Sequence, residues 1–145
     1  MAPEDEVAVS GTGRGYDIDE SARDFFVTGD ESALPAISTV LPALPEDATV
    51  RVVVEVRSDD GRAPLPSHPR ATVEWRVLPQ GARAGDAMVD AVQEASFEDD
   101  TRVWAAGEAA AVQRIRKHLD GEVGLPRSQC VVRGYWKLGR ASGGT

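Results

Sequence analysis

The residue types that build most disulfides and metal centres are nearly missing from this 145-residue chain, which has one cysteine, Cys130, and two histidines, His68 and His118. A single cysteine excludes an intrachain disulfide and any multi-cysteine metal site. Two histidines argue against a histidine-built metal centre as well. Long apolar runs are also missing; none approaches the ~20 residues that cross a bilayer, so no membrane role is expected. Cations are outnumbered, with 16 Lys and Arg against 24 Asp and Glu and a net charge of −8. Phosphate-backbone binding needs the opposite balance, which argues against a nucleic-acid surface. The acidic start, Met1 to Val7, has no basic segment leading into an apolar one, so no secretory signal is read and a cytoplasmic location is expected. No Ser-His-Asp set or carboxylate pair stands out, and no histidine lies near Cys130 in sequence. No catalytic side chain is nominated.

What is present fits one soluble globular domain: 41% hydrophobic and 28% charged residues over 15.5 kDa. Residues 1–22 lack a hydrophobic period and read as an irregular lead-in. The domain itself is expected over 23–138, and 139–145 as a flexible tail. Asp24 to Thr28 is a short apolar run stopped by Gly29, a candidate buried strand. From Ser32 to Leu44, Leu34, Ile37, Val40 and Leu41 recur at helical spacing, and Pro42 and Pro45 end the run. Thr49 to Val56 is rich in valine, as in a strand covered on both faces. Thr72 to Leu78 reads as a third strand, and Gly85 to Ala95 as a helix. Arg102 to Ala106 forms a fourth strand stopped by Gly107, Glu108 to Leu119 a helix, and Val131 to Trp136 a last strand. The alternation predicts a three-layer α/β domain with a mainly parallel five-stranded sheet.

Ligands of such sheets sit beyond the carboxyl ends of the strands. Two junctions therefore matter. At Thr28-Gly29-Asp30-Glu31-Ser32-Ala33 a strand ends and a helix begins within a few residues. Free N–H groups and the positive end of the helix dipole favour a phosphate there. The same residues also make an ordinary strand–helix turn, and Asp30 and Glu31 would repel a phosphate while capping the helix well. The second junction, Trp104-Ala105-Ala106-Gly107-Glu108-Ala109, repeats the pattern, and its small residues equally suit helix–sheet packing. Gly11-Thr12-Gly13-Arg14-Gly15 looks like a phosphate loop, but no strand precedes it and it is read as linker. Gly134-Tyr135-Trp136-Lys137 is either core aromatics with a surface lysine or an aromatic–cation platform for a planar or anionic ligand.

Taken in order, Gly29-Asp30-Glu31-Ser32-Ala33-Leu34-Pro35-Ala36-Ile37, Val73-Glu74-Trp75, Trp104-Ala105-Ala106-Gly107-Glu108-Ala109 and Gly134-Tyr135-Trp136-Lys137 resemble the C-terminal domain of siderophore-interacting proteins. Gly124-Leu125-Pro126-Arg127 adds to the resemblance. This family belongs to the ferredoxin–NADP reductase superfamily, so the resemblance implies that fold. It also implies an oxidoreductase passing electrons from NADPH or NADH through FAD to a ferric siderophore, with release of iron as Fe(II). The cofactors carry that redox chemistry and the protein positions them. Carried onto this chain, Thr28 to Ala33 would lie at the pyrophosphate and nicotinamide. Glu55 to Arg57 would face the adenosine ribose, Arg57 being suited to a 2′-phosphate. Gly107 and Glu108 would border the meeting point of nicotinamide and flavin. Lys137, where relatives commonly carry arginine, would attract an anionic siderophore or phosphate.

Two departures accompany the resemblance. Leu78-Pro79-Gln80 follows the third strand where the family usually has a His-Arg or similar polar end. There is also no room before Gly11 for the family's flavin-binding barrel, and its Arg-x-Tyr-Thr type of motif is not found. FAD is thus expected only through a partner domain, with the isolated chain inactive and a weak nucleotide binder. The alternative is a non-catalytic binding or homodimerisation module that keeps the fold; a third is an unrelated nucleotide-binding α/β protein.

Overall fold

A computed structural model of the chain describes residue 18 and residues 20–137. The glycine-rich 11–15 stretch and the 139–145 tail lie outside the described residues, as does most of the lead-in. The chain alternates β1 (Asp24–Gly29), α1 (Leu34–Val40), β2 (Thr49–Val56), β3 (Ala71–Val77), α2 (Asp86–Glu94), β4 (Arg102–Glu108), α3 (Ala109–Lys117) and β5 (Cys130–Trp136). The strands form one sheet in the order β3-β2-β1-β4-β5, and every neighbouring pair is parallel. The expected five-stranded α/β fold is therefore present, and all of its strands are parallel.

The valine run makes sense in this setting. Val50, Val52, Val54 and Val56 face α1, while Val53 faces α2, and all five are fully buried. Burial of one such side chain is worth about 1.5–3 kcal/mol, so β2 anchors both layers. On one face Ile37 and Val40 of α1 pack on Phe25, Val27 and Trp104. On the other, Met88, Val89 and Val92 of α2 and Val112 and Ile115 of α3 pack on Phe26, Val103 and Ala105. The edge strand β3 is less covered: Val73 is 40% exposed and Val77 43%. At the amino-terminal edge, buried Thr101 joins the start of β4 to β1 by donating its hydroxyl to Asp24 Oδ2 at 2.6 Å.

Three expected boundaries change. The Ser32–Leu44 helix is a seven-residue α-helix between two 3₁₀ turns, Glu31–Ala33 and Leu41–Ala43. Pro42 has no N–H to continue the α pattern, so the last turn tightens. The last helix passes at His118 into a π turn running to Val123. Gly107 does not stop β4; the strand runs through it to Glu108. The need for glycine at this position is spatial. A Cβ at Gly107 would lie 2.7 Å from Asp30 Oδ2 and 2.9 Å from the Met88 methyl, at φ +157°.

Candidate functional site

From β1 the chain passes through α1 to β2 on one side, whereas from β3 it returns past β1 to β4. Consecutive connections therefore diverge between β1 and β4, and a crevice opens beyond their carboxyl ends. Gly29 and Ala106 are paired there. Gly29 must be small: a Cβ would come within 2.7 Å of Ala33 Cβ and 3.0 Å of the Ala106 carbonyl oxygen. The two expected junctions thus meet at one point.

Three acidic side chains organise this edge. Asp30, only 6% exposed, binds in four directions. Its Oδ1 accepts from the Ser32 N–H at 3.0 Å and from the Ser32 hydroxyl. Its Oδ2 accepts from the Glu108 N–H at 3.1 Å and from Trp136 Nε1 at 2.9 Å. One carboxylate therefore caps the turn after β1 and ties it to the ends of β4 and β5. Buried Glu55, at the end of β2, accepts from the N–H groups of Gly85 at 2.8 Å, Ala87 at 2.9 Å and Met88 at 3.2 Å. It supplies the cap of α2 from 30 residues upstream. Burial pushes its carboxyl above the ordinary range, against the opposing pull of those three N–H groups, and the charge of Asp30 adds to the rise. Glu108 caps α3, its Oε1 accepting from the Ala111 N–H at 2.9 Å.

The consequence for anion binding is direct. A helix N-terminus attracts phosphate because its first N–H groups are unsatisfied. Here the chain's own carboxylates engage such groups at the turn after β1 and at the starts of α2 and α3. A phosphate would have to be held by other donors.

Asp30, Glu31, Ser32, Glu55 and Arg57 line one open cavity of about 300 Å³, together with Ala84 and Trp136. Arg57 is exposed, and its own N–H donates to Glu31 Oε2 at 2.9 Å. The cavity thus has one lining cation, with Glu31 beside it. The other expected residues lie elsewhere. Thr28 is fully buried and donates its hydroxyl to the Val53 carbonyl at 2.8 Å, inside the sheet. Ala33 packs in the core, and Gly107 and Glu108 end β4 and do not line the cavity. Lys137 is exposed just beyond β5. Trp136 and Ala84 are the additions. Trp136 was legible only as one half of an aromatic pair, and nothing in the sequence distinguished it from Tyr135.

Comparison with known proteins agrees with this fold. The family model for siderophore-interacting proteins matches residues 22–139. The chain belongs to the siderophore-interacting protein family. It is 33% identical to a siderophore utilization protein from T. fusca of solved structure, with a TM-score of 0.73, covering 86% of this chain and 48% of that one. It is 29% identical over 138 residues to the ferric vibriobactin reductase ViuB of Vibrio cholerae, covering 93% of this chain and 51% of that one. It is also 29% identical over 126 residues to the mycobactin import ATP-binding/permease protein IrtA of Mycobacterium tuberculosis, covering 86% of this chain and 14% of that one. The chain therefore spans about half of the reductase and a small part of the permease. Among the described residues no helix is long and apolar enough to cross a membrane.

Proposed function

We propose that this domain binds NADPH or NADH in the cavity beyond β1, β2 and β5, as the nucleotide-binding part of a flavin-dependent ferric-siderophore reductase. The observation that carries the proposal is the cavity's position: it lies beyond the carboxyl ends of a parallel sheet, bordered by the turn after β1 and the end of β5, in a domain of the siderophore-interacting family. The similarity to a protein named as a ferric reductase supports the reaction class.

The lining suits a nucleotide in part. Arg57 offers a charged donor for a phosphate, Trp136 an aromatic surface and Ser32 a hydroxyl. Asp30 and Glu55 are less repulsive than their charges suggest, since four and three hydrogen bonds respectively are directed at them. Glu31 is the real opponent of a phosphate. When bound, a reduced nicotinamide supplies a hydride. The residues of this chain hold the nucleotide and orient its ring; the flavin and most of the siderophore contacts belong to a separate barrel domain, whether joined or free. Lys137 then adds positive charge toward an anionic siderophore.

Calorimetric titration of NADPH and NADH tests the reading, with the chain alone and mixed with a flavin-loaded barrel domain of the family. Weak binding alone that tightens in the mixture is expected; no binding in either setting refutes it. A non-catalytic module is the second reading, favoured by the self-capped helix starts. It requires a stable homodimer without nucleotide affinity, which light scattering combined with the same titration detects.

A further inference from the structure

The Gly134-Tyr135-Trp136-Lys137 segment has a geometry that the fold alone does not call for. β5 pairs in register with β4 as far as Gly107 opposite Gly134, and then the register shifts so that Glu108 lies opposite Trp136. A bulge of this kind inserts a residue and re-aims the next side chain, and such bulges gather at the rims of functional sites. Tyr135 is the residue passed over, and it stays 42% exposed. Trp136 is turned into the crevice, where its Nε1 donates to Asp30 Oδ2 at 2.9 Å and its ring lines the cavity.

A tryptophan needed only as filler would be enclosed, as Trp104 is at 3% exposure. Trp136 is half-buried and borders open space. Its one polar atom is satisfied by a carboxylate that also holds the end of β4 and the turn after β1. The indole is therefore fixed in place while part of its ring stays open to a ligand. A rigid aromatic surface of this kind gains most by receiving another planar ring, at little conformational cost.

We infer that Trp136 is the contact in this cavity for a planar heteroaromatic ring, and that Asp30 is the residue that positions it. The inference relies on the nucleotide reading only for which molecule carries the ring.

The test uses the ¹⁵N-labelled full chain, whose three tryptophans give three indole N–H signals, with that of Trp136 identified by its loss in W136F. NADPH, 2′,5′-ADP, reduced nicotinamide mononucleotide and FMN are titrated separately. The Trp136 signal should move with NADPH and with the fragment bearing the ring it meets, while the signal of buried Trp104 stays. W136A should weaken NADPH binding about tenfold with unchanged circular dichroism. D30N should shift the free Trp136 signal, and W136A should add little to the affinity loss it causes, since coupled residues are non-additive. If NADPH binds with Trp136 unmoved, or W136A binds as well as wild type, the inference is overturned. If no nucleotide binds but FMN moves the signal, the nucleotide reading falls and the inference stands. A Trp136 signal that responds to none of the four ligands overturns it.

Discussion

Glu55→Ala removes the acceptor used by three main-chain N–H groups at the start of α2. Loss of a helix cap costs about 1–2 kcal/mol, and each buried donor left without a partner about 1–3 kcal/mol. The open cavity beside Glu55 lets water reach some of these groups, so one cap and one orphaned donor make a reasonable count. The loss is then about 3 kcal/mol, or roughly 6–12 °C in Tm for a chain of this size. Urea unfolding followed by circular dichroism measures it, and a loss below about 1 kcal/mol would mean that the three N–H groups do not depend on Glu55. Glu55→Gln separates charge from packing. The folded carboxyl lies above its ordinary 4.5, so the folded state holds this proton more tightly than the unfolded chain. That contribution is complete below the unfolded value and is lost as pH rises through the raised folded value. Wild type should therefore lose stability relative to E55Q as pH rises from about 4.5 upward. A difference that moves the other way contradicts the stated balance of burial over hydrogen bonding. The raised value says that the charged form is penalised relative to the neutral one; it does not make the cap dispensable.

Gly107→Ala places a Cβ against Asp30 Oδ2 and the Met88 methyl and should cost about 2–4 kcal/mol in urea unfolding. Gly121→Ala, with nothing within 4 Å of the added carbon, is the control and should be near neutral. Arg57→Ala should weaken NADPH binding about tenfold, equivalent to about 1.4 kcal/mol, and NADH binding less, by parallel calorimetric titrations. Glu31→Gln should strengthen NADPH binding about two- to fivefold, because removing a charge near the phosphate relieves about 0.5–1 kcal/mol of repulsion across solvent. Burial pushes the Cys130 thiol up, so Cys130 should react slowly with a disulfide reagent at neutral pH until the chain is unfolded.

The fold was largely legible because its signals are local. Phe25-Phe26-Val27, the β2 valines and Val103 to Ala106 are nearly unbroken apolar runs, as strands covered on both faces require. Helix–strand alternation then fixed the layer arrangement. The site was less legible because its decisive contacts are long-range. Asp30 reads locally as a cap that repels phosphate, but it is bound by Glu108 and Trp136, 78 and 106 residues away. The family resemblance implies a ribose contact at Glu55; that its carboxylate also accepts from the start of a helix 30 residues on has no local signal. Gly107 reads as a strand stop, although the space that requires a glycine is filled by Asp30 and Met88. Periodicity places elements; it does not reveal which carboxylate turns inward.

In the proposed function, the cavity beside Arg57 and Trp136 holds a reduced nicotinamide dinucleotide. Calorimetric titration of NADPH into wild type, R57A and W136A, each with and without the flavin-loaded barrel domain, tests it most directly. Saturable one-site binding to wild type is expected, tightening with the barrel and weakening about tenfold in each variant. Binding that both variants leave intact, or no binding with the barrel present, would contradict it.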